Sequence, residues 1–470
     1  MGLGAHYVLG IGLSAFGVMG RSGAEGFAPK GFGPEGPTLT RVTVIKTAKP
    51  AAEIISLQAS TRLGVLTHSD VGQVERFDFS NPEDPRSTGL FDLQMNEGEE
   101  LTSVAVHPRH AYFLACIKGA RTMNTGRVQV HALEDGKRLA AYPTGFGPDC
   151  VYISPDGLYA LTANEGEGYI EKGGVPFSPP GSLTWLKLSE KADGFELKQI
   201  PLPTVEAKGS VTAKDRRSLE RDIGGKPVLI PITANTPDCV EPEVIAFAPD
   251  GRLAFCTLQE NNAVCIIDVH SARITRVIGL GYTRHQADLR NDGVYNASEV
   301  LFALREPDGI AVLPGGAYFV TADEGDTEPG PDETAAGQPV GGGRTVSVFQ
   351  VESGMCVGDT GDQLDRWSAA AGIYPDKRSD NKGSEPEMIT AFAIADRPYA
   401  AVGLERAGAV ALIDLSTPEA PRVVSLIAVG EDANNFGPEG IAHLYDGQRD
   451  VHYLYTANEV NGTLSVLRID

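Results

Sequence analysis

Carboxylates recur along this chain at a spacing that would bring them together. An acid opens an apolar run and a second acid closes the next, giving the pairs Glu53 and Asp70, Asp149 and Glu165, and Glu243 and Glu260. The same spacing, 16 to 20 residues throughout, gives Asp308 and Glu324, Glu387 and Glu405, and Glu439 and Glu459. Between the members of a pair lie two strand-like stretches and a turn, as in DCVYIS, Pro155-Asp156-Gly157 and LTAN. Strands rise about 3.3 Å per residue, so a hairpin with arms of about six residues returns its second acid to the end where the first began. Each pair is therefore expected on one edge of a sheet. One unit departs from the pattern, with Thr102 at the first acidic position and Lys118 at the second.

Convergent carboxylates constrain the chemistry. Two ionised carboxylates in close contact near a protein surface repel by about 4 kcal/mol. A ring of them requires bound cations, basic partners or raised pKa values. Calcium takes six to eight oxygen ligands at about 2.3–2.6 Å, so the expected occupant is a divalent cation, Ca²⁺ foremost, with these acids as ligands. Lys118 and Arg406 are the candidates for binding a substrate oxyanion. The competing reading is a purely structural network, in which Arg406 beside Glu405, Arg305 beside Glu306, and Lys118 neutralise the ring. A catalytic residue cannot be named: the sequence holds no GxSxG, P-loop, HExxH or dinucleotide fingerprint. His68, His107, His110, His285 and His443 do not fall at metal-pair spacing, and the turn 288–293 lacks the regular alternation of an EF-hand.

The elements that must position these acids are repeats. Anchored on the residue six before the turn proline, DCVYISPDG, EVIAFAPDG and DGIAVLPGG share one register, with EIISLQAST, EMITAFAIAD, EGIAHLYDG and LTSVAVHPR as looser copies. Third strands such as SLTWLKLSE and GAVALIDLS follow, then fourth strands such as RITRVIGLG. Four antiparallel strands repeated seven times predict an all-β, seven-bladed β-propeller. The last unit stops after its third strand at Asp470, and 40–46 is a spare strand placed to complete that blade and close the ring. Residues 37–470 are expected to form a single propeller domain. Face-loop insertions are expected near 203–240, 283–305, 326–343 and 359–384.

The net charge of −22 excludes nucleic acid and anionic membrane as partners. The apolar run 7–20 resembles the core of a signal peptide, so 1–36 is expected to be a signal peptide and flexible lead-in. It is too short to span a bilayer, and no transmembrane segment is expected. The six cysteines form no CxxC pattern, and Cys256 and Cys265 face each other across a hairpin as either a disulfide or two buried thiols.

The stretches AAEII, TANEGEG, EPEVIAFAPDGRLAFCTLQENNAVCIIDV, REPDGIAVLPGGAYFVTADEGDTE, GSEPEMI and GPEGIAHL carry a family resemblance. Over about 45–470 the chain resembles the choice-of-anchor I family, described as mesenchyme-specific cell surface glycoprotein-like. The resemblance implies an exported bacterial β-propeller, in some members joined to a separate anchoring segment and akin in description to phytase-like and alkaline-phosphatase-like propellers. Two functions are expected. The first is a divalent-cation-binding module in the periplasm, outside the cell or at its surface. The second is a metal-dependent hydrolase, a phosphatase- or phytase-like phosphoesterase, with a lactonase as the further alternative. The expected partners are a metal ion and a small phosphorylated or cell-surface ligand, with the chain a monomer.

Overall fold

Short β-branched and aromatic runs punctuated by Gly, Pro and Asp give the chain many strands and almost no helix. In a computed structural model, residues 36–120, 124–166, 169–170, 176–177, 179–202, 240–325, 339–431 and 436–470 are described. They form seven four-stranded antiparallel sheets. The blades span 52–92, 100–146, 148–201, 245–279, 310–359 and 386–428, and the seventh combines 438–469 with the N-terminal strand. The expected leader 1–36 lies outside the described residues apart from residue 36, as do 203–239 and 326–338 of two expected insertions.

Blades pack face to face, and strand periodicity divides each strand between two neighbours. In blade three Leu161, Ala163 and Trp185 pack with Cys256 and Ile267 of blade four, whereas Ala160 and Leu186 pack with Leu114 and Val130 of blade two. Middle strands buried on both faces read as near-continuous apolar runs, as in Leu253–Leu258 (LAFCTL), where Thr257 is the one polar residue. Phe255, Phe319 and Phe349 fill the next interface with ring centroids 5.2 and 5.0 Å apart. Cys256 and Cys265 do stand opposite one another in register, as two buried free thiols.

The ring closes as the spare strand requires. Leu39–Lys46 pairs antiparallel with Thr463–Ile469, from Leu39 opposite Ile469 to Lys46 opposite Thr463. Thr38 and Asp470 exchange two backbone hydrogen bonds of 2.9 Å, and Arg41 donates to the carbonyls of Ala428 and Gly430 in the preceding blade. A chain beginning at residue 48 would leave the edge of Thr463–Ile469 unpaired, a template for strand addition. Such a truncation is expected to lower the melting temperature by roughly 10 °C and to elute as aggregates in size-exclusion chromatography.

Innermost strands run away from one mouth of the ring, and second strands run back to it. Connections between second and third strands, and between one blade's outer strand and the next blade's inner strand, therefore emerge at that mouth. Two connecting segments lie there, the hairpin Tyr282–Ala287 with Glu299–Leu304 and the segment 360–385, which carries the helix Gln363–Ala370. Among the described residues no helix is long and apolar enough to cross a membrane.

Candidate functional site

In four of the six pairs the first acid is held in a β-bulge, as is Thr102 in the unit that lacks one. Register slips between Ala52 and Ile55, Leu101 and Ser103, Pro148 and Cys150, Pro386 and Ile389, and Pro438 and Gly440. The bulges hold Glu53, Thr102, Asp149, Glu387 and Glu439, so each sits where a strand twists and redirects its side chain. Two residues before the acid the backbone is left-handed in five blades, at Ala51, Gly147, Glu306, Glu385 and Gly437, with φ between 45° and 62°. Glycine adopts this conformation readily. Alanine and glutamate pay of order 1 kcal/mol or more for it, a strain that marks the mouth as specially shaped.

The second acid is positioned by the buried residue before it. Asn164 accepts from Thr162 at 2.8 Å and donates to Ser182 and Thr184 at 3.1 and 3.0 Å. Asn458 does the same with Thr456, Thr463 and Ser465. Asp323 accepts from Thr321, Thr345 and Ser347, with the Arg305 guanidinium 3.8 Å away. Glu165, Glu324 and Glu459 follow directly. The amides of Glu165, Glu405 and Glu459 donate to the carbonyls of Gly147, Glu385 and Gly437 at 2.8–2.9 Å. Each of those pairs is thus tied through the left-handed residue of its own first strand.

The strongest convergence is on blades five to seven. Carboxylate oxygens of Asp308, Glu324 and Glu387 lie within 4.8 Å of one another, as do those of Glu385, Glu387 and Glu405, and those of Glu405, Glu439 and Glu459. Glu387 and Glu405 each belong to two triads, so seven carboxylates form a continuous arc. Glu53, Asp149, Asp308 and Glu439 also border a cavity of about 540 Å³ on the side of Thr102. There Thr102 turns its hydroxyl to the Pro148 carbonyl at 2.9 Å. Glu53 accepts from Ser69. Glu165, Glu243 and Glu260 stand outside the triads, and Glu243 is 9% exposed, with Oε2 lacking a hydrogen-bond partner among the described residues.

Basic side chains meet part of this charge. Lys382 donates to Glu324 at 2.5 Å, and Arg378 pairs with Glu385 at 2.9 Å. Arg406 bridges Glu405 and Glu385 at 2.7 and 3.5 Å, and Lys118 lies 3.7 Å from Glu165. Lys118 and Arg406 are therefore both engaged by mouth acids. Glu385, Lys382 and Arg378 are site residues that the pair spacing did not single out.

Burial and crowding raise the proton affinity of the mouth acids. Burial, reinforced by Glu459, Asp70 and Asp149 against the Ser69 hydroxyl, pushes Glu53 up to about 7. Burial with Glu324 and Asp149 pushes Asp308 to about 8, and burial with Glu385, opposed by Arg406, takes Glu405 to about 7. Burial foremost drives Glu243, Glu387 and Glu439 well above the usual carboxylate range, with Glu260, Glu405 and Glu459 as their nearest opponents. Glu324 is raised by burial although Lys382 and Gln259 stabilise its charge.

Below the acids the channel turns apolar. A second cavity of about 620 Å³ is lined by side chains such as Val104, Val151, Phe247 and Ile310. Ile54, Tyr152 and Met388 border both cavities. In the turn 288–293, Asp288 caps the backbone amides of Arg290 and Asn296. His68 bonds Glu75 and the Pro50 carbonyl, and His107 bonds the Gly157 carbonyl, both structural roles.

Fold and site together define a seven-bladed propeller with a carboxylate-rich channel mouth. The profile of the choice-of-anchor I domain matches residues 53–341 and 331–418, and the chain belongs to that family. Among solved structures, the chain is similar to hydrazine synthase of Kuenenia stuttgartiensis, with a TM-score of 0.54 and 15% identity. That likeness covers 91% of this chain and 97% of the other, and at such identity it concerns the fold alone. A sequence search of curated proteins found no match.

Proposed function

We propose that this choice-of-anchor I propeller binds divalent cations, calcium foremost, at the channel mouth and serves as an exported or cell-surface binding module. The supporting observation is the arc of three triads with oxygens within 4.8 Å of one another. Two oxygens bound to one calcium at about 2.4 Å are at most about 4.8 Å apart, so the oxygens of each triad lie within the range that a shared calcium ion requires. The donor set is all hard oxygen, which suits calcium over softer transition metals. Family membership supports export, since the family's name concerns anchoring.

A second reading, a metal-dependent phosphoesterase, draws support from the cavity beside Glu53, Asp149, Asp308 and Glu439. Calcium held there would polarise a phosphate and acidify a bound water. Lys118 or Arg406 would have to leave its carboxylate to grip the substrate oxyanion.

Metal content of protein purified without chelator, followed by melting curves in EDTA and in calcium chloride, tests the first reading. Calcium at a hundredfold excess over its Kd is expected to add about 2.7 kcal/mol of stability. Absence of bound metal, with identical melting in both buffers, would sink both readings. Turnover of phosphomonoesters or phytate that EDTA abolishes would favour the second.

A further inference from the structure

One triad member is already paired with an ammonium. Lys382 Nζ donates to Glu324 Oε1 at 2.5 Å, while the other oxygen of Glu324 accepts from Gln259 at 2.7 Å. Glu324 belongs to the triad with Asp308 and Glu387, and the charge of Lys382 acts on Asp308 as well. Lys382 arrives from outside the repeat, on the segment between blades five and six. Its backbone is fixed on both sides. Buried Arg344 donates to the carbonyls of Ser379 and Asn381 at 2.7 and 2.6 Å, and the Ser384 amide donates to Asp365 at 2.9 Å. Gly383 follows with φ +59°, and a Cβ there would meet the Asp365 carboxylate at 2.7 Å. The lysine side chain is 15% exposed, which leaves its ammonium a path to water.

We propose that Lys382 is a tethered internal cation, filling the Asp308–Glu324–Glu387 cradle and displaced from it when a divalent cation binds. The inference rests on the cation-binding reading and concerns how that site is regulated. Among the described residues the Oε2 of buried Glu243, in the neighbouring blade, has no hydrogen-bond partner, an independent sign that the mouth lacks positive charge even with Lys382 in place. A tethered ammonium competes at high effective concentration, so only ions that outbid one fixed positive charge enter. Because the segment's backbone is pinned, exchange requires a swing of the lysine side chain and no unfolding. Among the described residues the triad Glu405, Glu439 and Glu459 pairs with no lysine and only with Arg406 on one member, so it is expected to fill at lower calcium.

Calcium titration by calorimetry on the wild type and on K382M, K382Q and K377M tests this. Lys377 is an exposed lysine of the same segment and serves as the control. Both Lys382 variants are expected to bind calcium about tenfold tighter, with K377M unchanged. In the wild type, reductive methylation of Lys382 read by mass spectrometry is expected to speed up when calcium is added. Wild-type binding that neither Lys382 substitution tightens, with methylation unaffected by calcium, overturns the inference and leaves the cation-binding reading standing. Binding by the Lys382 variants alone supports the inference outright. Failure of every protein to bind calcium removes both.

Discussion

Glu387→Gln is expected to raise the melting temperature of the cation-free propeller and, in the same protein, to weaken calcium binding by at least about a hundredfold. Glu387 belongs to two of the three triads, so its loss removes a ligand from both. Burial opposes its charge first, and Glu405, Glu439, Glu324 and Asp308 oppose it further. Glutamine keeps the shape and drops the ionisable group, a gain of about 1–3 kcal/mol in a site where charges are crowded rather than paired. A structural carboxylate behaves in the opposite sense. Glu75 is also buried, yet hydrogen bonds from His68, Ala48 and Ser87 outweigh that burial and hold it below the usual carboxylate range. Glu75→Gln is therefore expected to destabilise, so thermal melts of the two variants in EDTA separate a ligand site from a structural network. Destabilisation by both substitutions would mean that the mouth acids hold the blades together. Glu405→Gln is expected to follow Glu387→Gln with a smaller gain, because Arg406 loses its partner at 2.7 Å.

The contrast between Glu387 and Glu385 explains how much of this site was legible in sequence. Spacing fixed by hairpin length identifies Glu387 and Glu405, because both sit in register with their counterparts in five other blades. The blade count and the closing strand follow from the same regularity. Glu385 lies two residues before Glu387, where a regular extended strand would carry it out of the mouth. It enters only because its backbone is left-handed, at φ 62°, a conformation that glutamate seldom adopts and that its identity does not advertise. Glycine at 147 and 437 does hint at such a turn, and reading those positions across units is the signal that exposes 385. Lys382 and Arg378 were hidden for another reason. They belong to an insertion that occurs in one blade only, and tertiary contacts through Arg344 decide where they point. Lys118 was visible as a break in the pattern, but its partner Glu165 belongs to the next blade, and a repeat carries no information about contacts between units.

In EDTA the melting temperature is expected to fall as pH rises from about 5.5 to 8.5. Glu53, Asp308 and Glu405 are raised to about 7, 8 and 7, above the 4.5, 3.8 and 4.5 of the unfolded chain. A folded state that favours the protonated form draws full benefit below the unfolded value and loses it as pH climbs through the folded one. For Glu405, which is 4% exposed, the shift corresponds to about 3 kcal/mol. Other groups set the acid limb. Glu99 is held down at about 2 chiefly by Arg127, and Asp414 lies below its usual value because hydrogen bonds from Ser416 and Arg422 outweigh burial, so their contributions vanish as pH drops below about 4. Stability without cations should therefore peak between roughly pH 5 and 6. Calcium reverses the alkaline limb, since binding requires the ionised carboxylates and releases their protons. The gap between melting curves in calcium and in EDTA is expected to widen steadily up to pH 8.5. Calorimetry at pH 7 in buffers of different ionisation enthalpy should register that proton release directly. An alkaline limb that stays flat in EDTA, with no proton release on adding calcium, would mean that the acids are already neutralised by Lys118, Lys382, Arg378 and Arg406, and that the mouth is a structural acid–base network.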